Sequence, residues 1–408
     1  MPSEGPTPRC EATEGCARQA YKPLRDNLFS NKHVPAARFS LKTDCRHFRG
    51  DIPCRPHKQH GVHCVDERGK VCAHYDQIRI RILIIKLGAL GDVIRTTPLL
   101  TKLREVYPGA FITWLTASPE VLPAQVDEPL EYTLPSVVAL RSRPFDLLLN
   151  LDKDKDACAL AAQITARQKK GFILRDGVIS PATTEAEQKY LTGIFNDVSL
   201  ENRKSYPEEI FEICGFRFGG ERYLLEPPPA PPKPWKLDRK RPIVGLNTGC
   251  GGRWTSRLWS DERWVNLARA LRKMGYEVVL LGGAQEDPKN RALAKRSGAK
   301  YLGHFPLREF SSLVNACDLV VTGVTMAMHI TIGLGKKIIL FNNIFNRHEF
   351  EMYGLGEILE PSKPCQCFYR PTCINPAYRC MEHLSVATVF DAVRRQLPAP
   401  QRGRRSSR

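Results

Sequence analysis

The 408-residue chain has no apolar run approaching the roughly 18 residues that a membrane-crossing helix needs, which excludes a transmembrane helix. Its opening stretch, MPSEGPTPRCEATEGC, lacks the apolar core of a secretory signal. Without an export signal, the 14 cysteines argue against a disulfide framework and for a reducing, cytoplasmic setting. Acidic residues are the minority, 43 against 61 Lys and Arg, for a formal charge of +18. The tail Arg394–Arg408 carries six arginines and no acid. That composition suits a solvated tail, or attraction to anionic lipid or an acidic lipid-linked glycan at about 1 kcal/mol per basic residue near the surface. The second reading would place the chain at the inner face of the cytoplasmic membrane. No RNA- or DNA-binding motif is present, and elsewhere bases and acids are interleaved, so a nucleic-acid partner is not expected.

What is present begins at Ile80–Tyr107, IRILIIKLGALGDVIRTTPLLTKLREVY. The Ile/Leu run Ile80–Ile85 reads as a parallel strand covered on both faces. A loop bracketed by Gly88 and Gly91 follows, with Asp92 at its exit. Thr97–Pro98 reads as the N-cap and first residue of a helix, with Leu99, Leu100, Leu103 and Val106 on its apolar face. Ligands of open α/β sheets bind at the carboxyl ends of strands, which places Asp92 where chemistry is done, or where a turn is capped.

KLGALGDVIRTTPLL resembles the opening motif of glycosyltransferase family 9, the ADP-heptose:lipopolysaccharide heptosyltransferases and their relatives. The resemblance recurs in LNTGCGGRWTSRLW (Leu246–Trp259), EVVLLGG (Glu277–Gly283) and CDLVVTGVTMAMHITIGLGKKIILF (Cys317–Phe341), and covers about Ile80 to Leu397. It implies a GT-B fold, two doubly wound Rossmann-like domains facing across a cleft. The residues agree. Strands are expected at Ile80–Ile85, Phe111–Leu115, Leu147–Leu149, Phe172–Leu174, Ile243–Leu246, Val278–Leu281, Leu319–Val321 and Lys337–Phe341. Helices fall between them, including Lys155–Arg167, Arg263–Met274, Asn290–Ser297 and Arg308–Asn315. A last helix, Leu384–Gln396, is a candidate to cross back to the first domain.

The domain reading is an extension over 1–40, polar and poorly ordered; a Cys/His-rich segment over 41–77; an acceptor domain over 78–225; a linker over 226–240; a donor domain over 241–397; and a basic tail over 398–408. The linker rests on EPPPAPPKPW (Glu226–Trp235), whose six prolines can join neither a helix nor a central strand.

Transfer from a nucleotide sugar must stabilise a departing diphosphate, through a carboxylate-held metal or through fixed dipoles and cations. Asp152, Asp154 and Asp156 follow a first-domain strand and open a helix, where acids serve as caps. The second domain offers a Gly/Thr loop after a strand, then Arg253 and Arg257. Loop N–H groups and guanidinium forks suit phosphate, so Thr248, Gly249 and Arg257 are expected to bind the diphosphate, with Arg253 beside them. Trp259 is expected to pack. Thr325 opens a helix and suits an anion or a ribose hydroxyl, and His329 matches the family's Met-His pair. Many relatives carry an aspartate where Val324 stands, for bonding donor-sugar hydroxyls; valine makes no such bond. Lys86, Gly91, Asn346, Arg347 and Glu349 are further candidates to contact donor or acceptor.

Two cysteine quartets stand out. Cys365, Cys367, Cys373 and Cys380 form C-x-C-x5-C-x6-C, resembling a cysteine-rich patch late in family 9 chains. Cys45, Cys54, Cys64 and Cys72 precede the first strand amid His47, His57, His60, His63 and His74. Neither has the C-x2-C spacing of a zinc knuckle; each could hold structural zinc or an iron–sulfur cluster, or be reduced, buried thiols. The resemblance implies an inverting transferase without a catalytic metal, with Asp92 as base, an ADP-linked donor and a lipid-linked or envelope glycan acceptor. The alternative is a non-catalytic nucleotide-sugar or glycan-binding protein with structural metal sites, a reading that Val324 favours.

Overall fold

The computed structural model describes residues 40–228 and 234–398. The extension 1–39, the middle of the proline-rich segment and the tail from 399 lie outside the described residues. The chain divides into two compact units, Met1–Asp76 and Gln77–Arg408. The first contains one short helix, Arg55–His60, and one isolated bridge, Val65 to Val71.

The second unit contains two six-stranded sheets. The first is ordered β3-β2-β1-β4-β5-β6, from β1 (Ile80–Ile85), β2 (Ala110–Thr116), β3 (Glu128–Glu131), β4 (Phe145–Asn150), β5 (Ala166–Arg175) and β6 (Val178–Pro181). The second is ordered β12-β11-β10-β7-β8-β9, from β7 (Ile243–Asn247), β8 (Glu277–Leu281), β9 (Lys300–Tyr301), β10 (Leu319–Gly323), β11 (Lys337–Phe341) and β12 (Gly356–Leu359). All pairings are parallel except β5 with β6. Central strands are apolar on both faces because helices cover both: Ile82 to Ile85 and Leu319 to Val321 are fully buried.

The two topologies are the same. The chain leaves the central strand (β1 or β7) in one direction for two strands, then returns to its other side with β4 or β10. The carboxyl ends of β1 and β4, paired from Ile82–Leu147 to Ile85–Asn150, therefore flank one switch point. Those of β7 and β10 flank another. Each is where an open α/β sheet binds ligand.

Four expectations are corrected. The helix from Lys155 ends at Gln163, not Arg167, because Ile164 turns extended to bury its side chain and Ala166 already begins β5. Thr97 is not an outside cap: the chain is helical from Leu90 to Ile94, Thr97 sits in helical conformation, and its hydroxyl donates to Ile94 O at 2.7 Å and accepts from Leu224 N at 2.8 Å. The last helix, Val386–Gln396, packs on the Asp261–Lys273 helix and on β11 and β12 of the second sheet rather than crossing back. Trp259 pins its approach, donating from Nε1 to Leu384 O at 2.9 Å, so the expected packing role holds. Asp154 occupies a helix N-cap position without a side-chain capping bond, and Asp152 is employed elsewhere.

Candidate active site

At the first switch point, β1 delivers Lys86 and the short helix Leu90–Ile94 delivers Asp92, while Asp152 lies two residues beyond β4. Asp152 is no cap. Its Oδ2 accepts the Gly88 N–H at 2.7 Å and lies 3.4 Å from Lys86 Nζ, fixing the glycine loop over the strand ends. Burial opposes the Lys86 charge, but Tyr206, Asp92 and Asp152 outweigh it and hold its pKa above the ordinary lysine value.

Asp92 Oδ1 pairs with Arg95 Nη2 at 2.9 Å, and Arg95 Nη1 reaches Glu349 Oε1 at 2.7 Å. The guanidinium stacks on Tyr206, 3.5 Å from the ring centre, and Tyr369 donates to Glu349 Oε2 at 3.1 Å. Arg95 and Glu349 side chains are 12% and 15% exposed, whereas Asp92 keeps 32% open to the cleft. Burial alone would raise the Asp92 pKa; Arg95 and then Lys86 overcome it and bring it to about 2. The same balance, burial against Arg95, leaves Glu349 below its ordinary value. Arg95 was not picked out from sequence, although it stands in the quoted motif. A polar residue one helical turn beyond a strand-end acid was the available signal.

At the second switch point the chemistry differs. Asn247 Nδ2 donates to Thr322 Oγ1 at 3.0 Å and Thr325 Oγ1 at 3.2 Å, knitting the ends of β7 and β10 together. Arg257 is sandwiched between Trp254 and Phe345, its guanidinium 5.4 and 5.3 Å from their ring centres. It donates to the carbonyls of Val324 and Cys250. Among the described residues it has no carboxylate partner, and its Nε is buried without an acceptor. Burial pulls its pKa down. Gly249 faces Glu286 so closely that a β-carbon would collide with it. Thr248 is corrected: its hydroxyl is spent on buried Asn290 at 2.5 Å and does not face the cleft. Arg347 also turns away, to Glu360 at 3.1 Å. Arg253 lines the cleft and lies over Trp254, 5.2 Å from the ring centre.

The two sheets meet over Asp92. His329, on the Met326–Gly333 helix, packs against Gly91 so tightly that any β-carbon there would overlap its ring. Burial, with Arg95 adding to it, lowers the His329 pKa to about 3, so the ring is neutral, and its Nδ1 has no partner among the described residues. Asn346 donates to Ser199 O and Asn202 O, each at 2.6 Å, tying the loop after β11 to the first half.

Two cavities open on this junction, of about 400 and 1000 Å³. The smaller belongs mainly to the first half and is lined by Lys86, Asp152, Lys153, Lys189, Asn196 and Glu209. The larger lies between the halves and takes in Gly249, Arg253, Arg257, Val324, Thr325 and His329. Asp92, Arg95, Glu349 and Tyr369 line both. Asp92 thus stands at the passage between two chambers.

The cysteines lie elsewhere. Cys367 Sγ is 3.8 Å from Cys373 Sγ and accepts the Ile374 N–H at 3.3 Å; Asn343 Nδ2 lies 3.3 Å from Cys380 Sγ. A hydrogen bond with Cys365, aided by Asn343, brings the Cys380 thiol down to about 6. Among the described residues, no three or more His, Cys, Asp or Glu side chains are drawn together as a metal shell. No described helix is long and apolar enough to cross a membrane.

Residues 222–347 match the model of glycosyltransferase family 9 (heptosyltransferase). No curated protein matches the chain. Among solved structures, the glycosyl transferase family 9 from Veillonella parvula is 19% identical, with a TM-score of 0.59 over 78% of this chain and 97% of its own. The E. coli ADP-heptose lps heptosyltransferase II is 17% identical, with a TM-score of 0.54 over 78% of this chain and 98% of its own. The structural likenesses establish the two-sheet fold, and the family match falls on the segment that carries Gly249, Arg257 and His329. The resemblance seen in the motifs is borne out: the chain carries a glycosyltransferase family 9 domain on a GT-B fold and is a glycosyltransferase.

Proposed function

We propose that this glycosyltransferase moves a sugar, heptose or a relative, from an ADP-linked donor to a lipid-linked or cell-envelope glycan, with inversion and without a catalytic metal. The acceptor domain is residues 78–225 and the donor domain 241–397. The carrying observation is Asp92 at the passage between a polar chamber in the first half and a larger chamber that ends at Arg257. The donor assignment draws further support from the E. coli fold-mate, whose name specifies ADP-heptose.

In the reaction, the acceptor hydroxyl oxygen bonds to the anomeric carbon as the bond from that carbon to the diphosphate breaks. The hydroxyl proton passes to Asp92, and the electron pair leaves with the diphosphate. A carboxylate held near pKa 2 is always ionised at neutral pH but is a weak base. Proton transfer therefore follows bond formation, once the attacking oxygen has become acidic. Arg257, a permanent cation without a carboxylate partner among the described residues, meets the charge developing on the diphosphate. Gly249 and Thr325 let the donor approach the strand ends. The basic tail would hold the enzyme at an anionic surface.

The test is Asp92→Asn, assayed with ADP-heptose and envelope glycan acceptors. The substitution keeps size and one acceptor oxygen but takes up no proton, so turnover should fall about 10²–10⁴-fold with donor affinity unchanged. Full turnover in the variant would move the base elsewhere. Donor binding by the wild type with no transfer to any acceptor would favour a binding protein, the reading in which Val324 replaces a sugar-recognising aspartate. Transfer should also survive EDTA; loss restored by magnesium or manganese would contradict the metal-free mechanism.

A further inference from the structure

The unit before β1 poses a physical problem. Its residues 40–76 turn back on themselves through tight turns. Phe48 N bonds Cys45 O, Tyr75 N bonds Cys72 O, and Cys72 N bonds Cys64 O, each at 3.0 Å. Yet none of its apolar side chains belongs to any of the protein's buried apolar clusters. Leu41, Ile52 and Val71 are exposed, and the buried residues are Cys45 and Pro56. Segments this small that cannot bury a core normally depend on cross-links or a metal.

A cavity of about 20 Å³ occupies the place of a core, and Cys45, Cys54, Cys64 and Cys72 all line it. His47, His63 and His74 complete its polar lining, with Phe48, Pro56, Val62 and Tyr75 as apolar wall. None of the four cysteines is in a disulfide. Four positions spread over 28 residues of chain thus converge on one space of atomic size. The His74 N–H points at Cys72 Sγ from 3.3 Å. Backbone N–H groups of this kind stabilise a thiolate, the form that binds metal.

We propose that Cys45, Cys54, Cys64 and Cys72 bind one structural zinc ion that folds residues 40–76. Four thiols release their protons and become tetrahedral ligands at about 2.3 Å. Drawing the sulfurs inward to that distance supplies what apolar contacts do not. The histidines stand behind the sulfurs, where imidazole N–H groups and the Lys42 ammonium, which also lines the cavity, offset the charge of a four-thiolate site. The proposal rests on the first unit alone and does not depend on the transfer chemistry above.

The test uses the full chain, purified without chelator, and elemental analysis. Cys54→Ser/Cys64→Ser should lose one equivalent of zinc relative to the wild type, while Cys365→Ser/Cys373→Ser should keep that equivalent. Because the first variant may fold poorly, a second measurement uses unmutated cysteines. Thiol alkylation read by mass spectrometry should spare Cys45, Cys54, Cys64 and Cys72 in the wild type and label all four after a zinc chelator. Cobalt reconstitution of Cys365→Ser/Cys373→Ser should give the absorption of tetrahedral thiolate–cobalt. Iron in place of zinc would overturn the metal assigned. Disulfides among the four, or rapid alkylation without a chelator, would overturn the site.

Discussion

The two switch points occupy the same place in the same topology and are furnished in opposite ways. The first is crowded with paired charge: Lys86 with Asp152, and Arg95 shared between Asp92 and Glu349. The second has hydroxyls, an amide, glycine and one arginine whose charge meets only carbonyls. Pairing is what a group needs if it must stay fixed and ionised while a proton and a new bond are exchanged beside it. An unpaired guanidinium is what an incoming anion needs. Topology supplies two equivalent crevices, and the side chains decide that one performs chemistry while the other holds and releases a charged leaving group.

The strongest way to break this contrast is to remove the cation that organises the first crevice. Arg95→Leu strands the buried Glu349 carboxylate and leaves Asp92 with one fewer partner. It should destabilise the fold by about 3–5 kcal/mol in denaturant titration, because the surviving charges are left uncompensated. Adding Glu349→Gln should recover part of that loss. An Arg95→Leu chain as stable as the wild type would show that the network is not structural.

The second crevice should respond in affinity instead. Arg257→Ala should weaken nucleotide-sugar binding by about 1.5–3 kcal/mol, the usual worth of a charged hydrogen bond, with little change in stability. Calorimetry with unchanged affinity would remove Arg257 from the donor site.

The smallest effect sharpens the comparison at the junction. His329 is kept neutral, with its pKa lowered to about 3, whereas an unfolded chain would protonate it near 6.5. Between those values the unfolded state binds the extra proton, so stability falls as pH falls, by up to about 1.4 kcal/mol per pH unit. Asp92, depressed to about 2, contributes stability that is present above about pH 4 and lost only as pH drops towards 2. The window from pH 6.5 to 5 therefore isolates His329 from Asp92. His329→Asn should flatten the stability curve there, and an unchanged slope would show that the imidazole is protonated in the folded chain.

Much of this organisation was legible in the sequence, and the residues that were not share a cause. β1 and β11 were bounded to the residue because unbroken apolar runs mark strands covered on both faces. The edge strands β3, β6, β9 and β12 were invisible, since short half-solvated strands have no such signature. Asp92, Arg257 and Glu349 were candidates because strand ends and their loops are where ligands sit. Arg95 and Asp152 escaped because their meaning lies in partners far along the chain: Arg95 meets Glu349 254 positions away, and Asp152 meets Gly88 64 positions back. Thr248 was misjudged because a strand-end pattern does not reveal which way a hydroxyl points. The buried amide of Asn290, which claims it, comes from another helix.

Gly91 carries a further consequence. The motif's second glycine looks like part of a phosphate cradle, yet its bare α-carbon is what the His329 ring rests against. The smallest side chain in the protein acts as a spacer, setting the width of the gap between the halves. A single methyl group at position 91 would prop them apart, and Asp92, the next residue, would be carried away from the donor by the same displacement. Reach between base and sugar is thus governed by a missing carbon rather than by any group that is present.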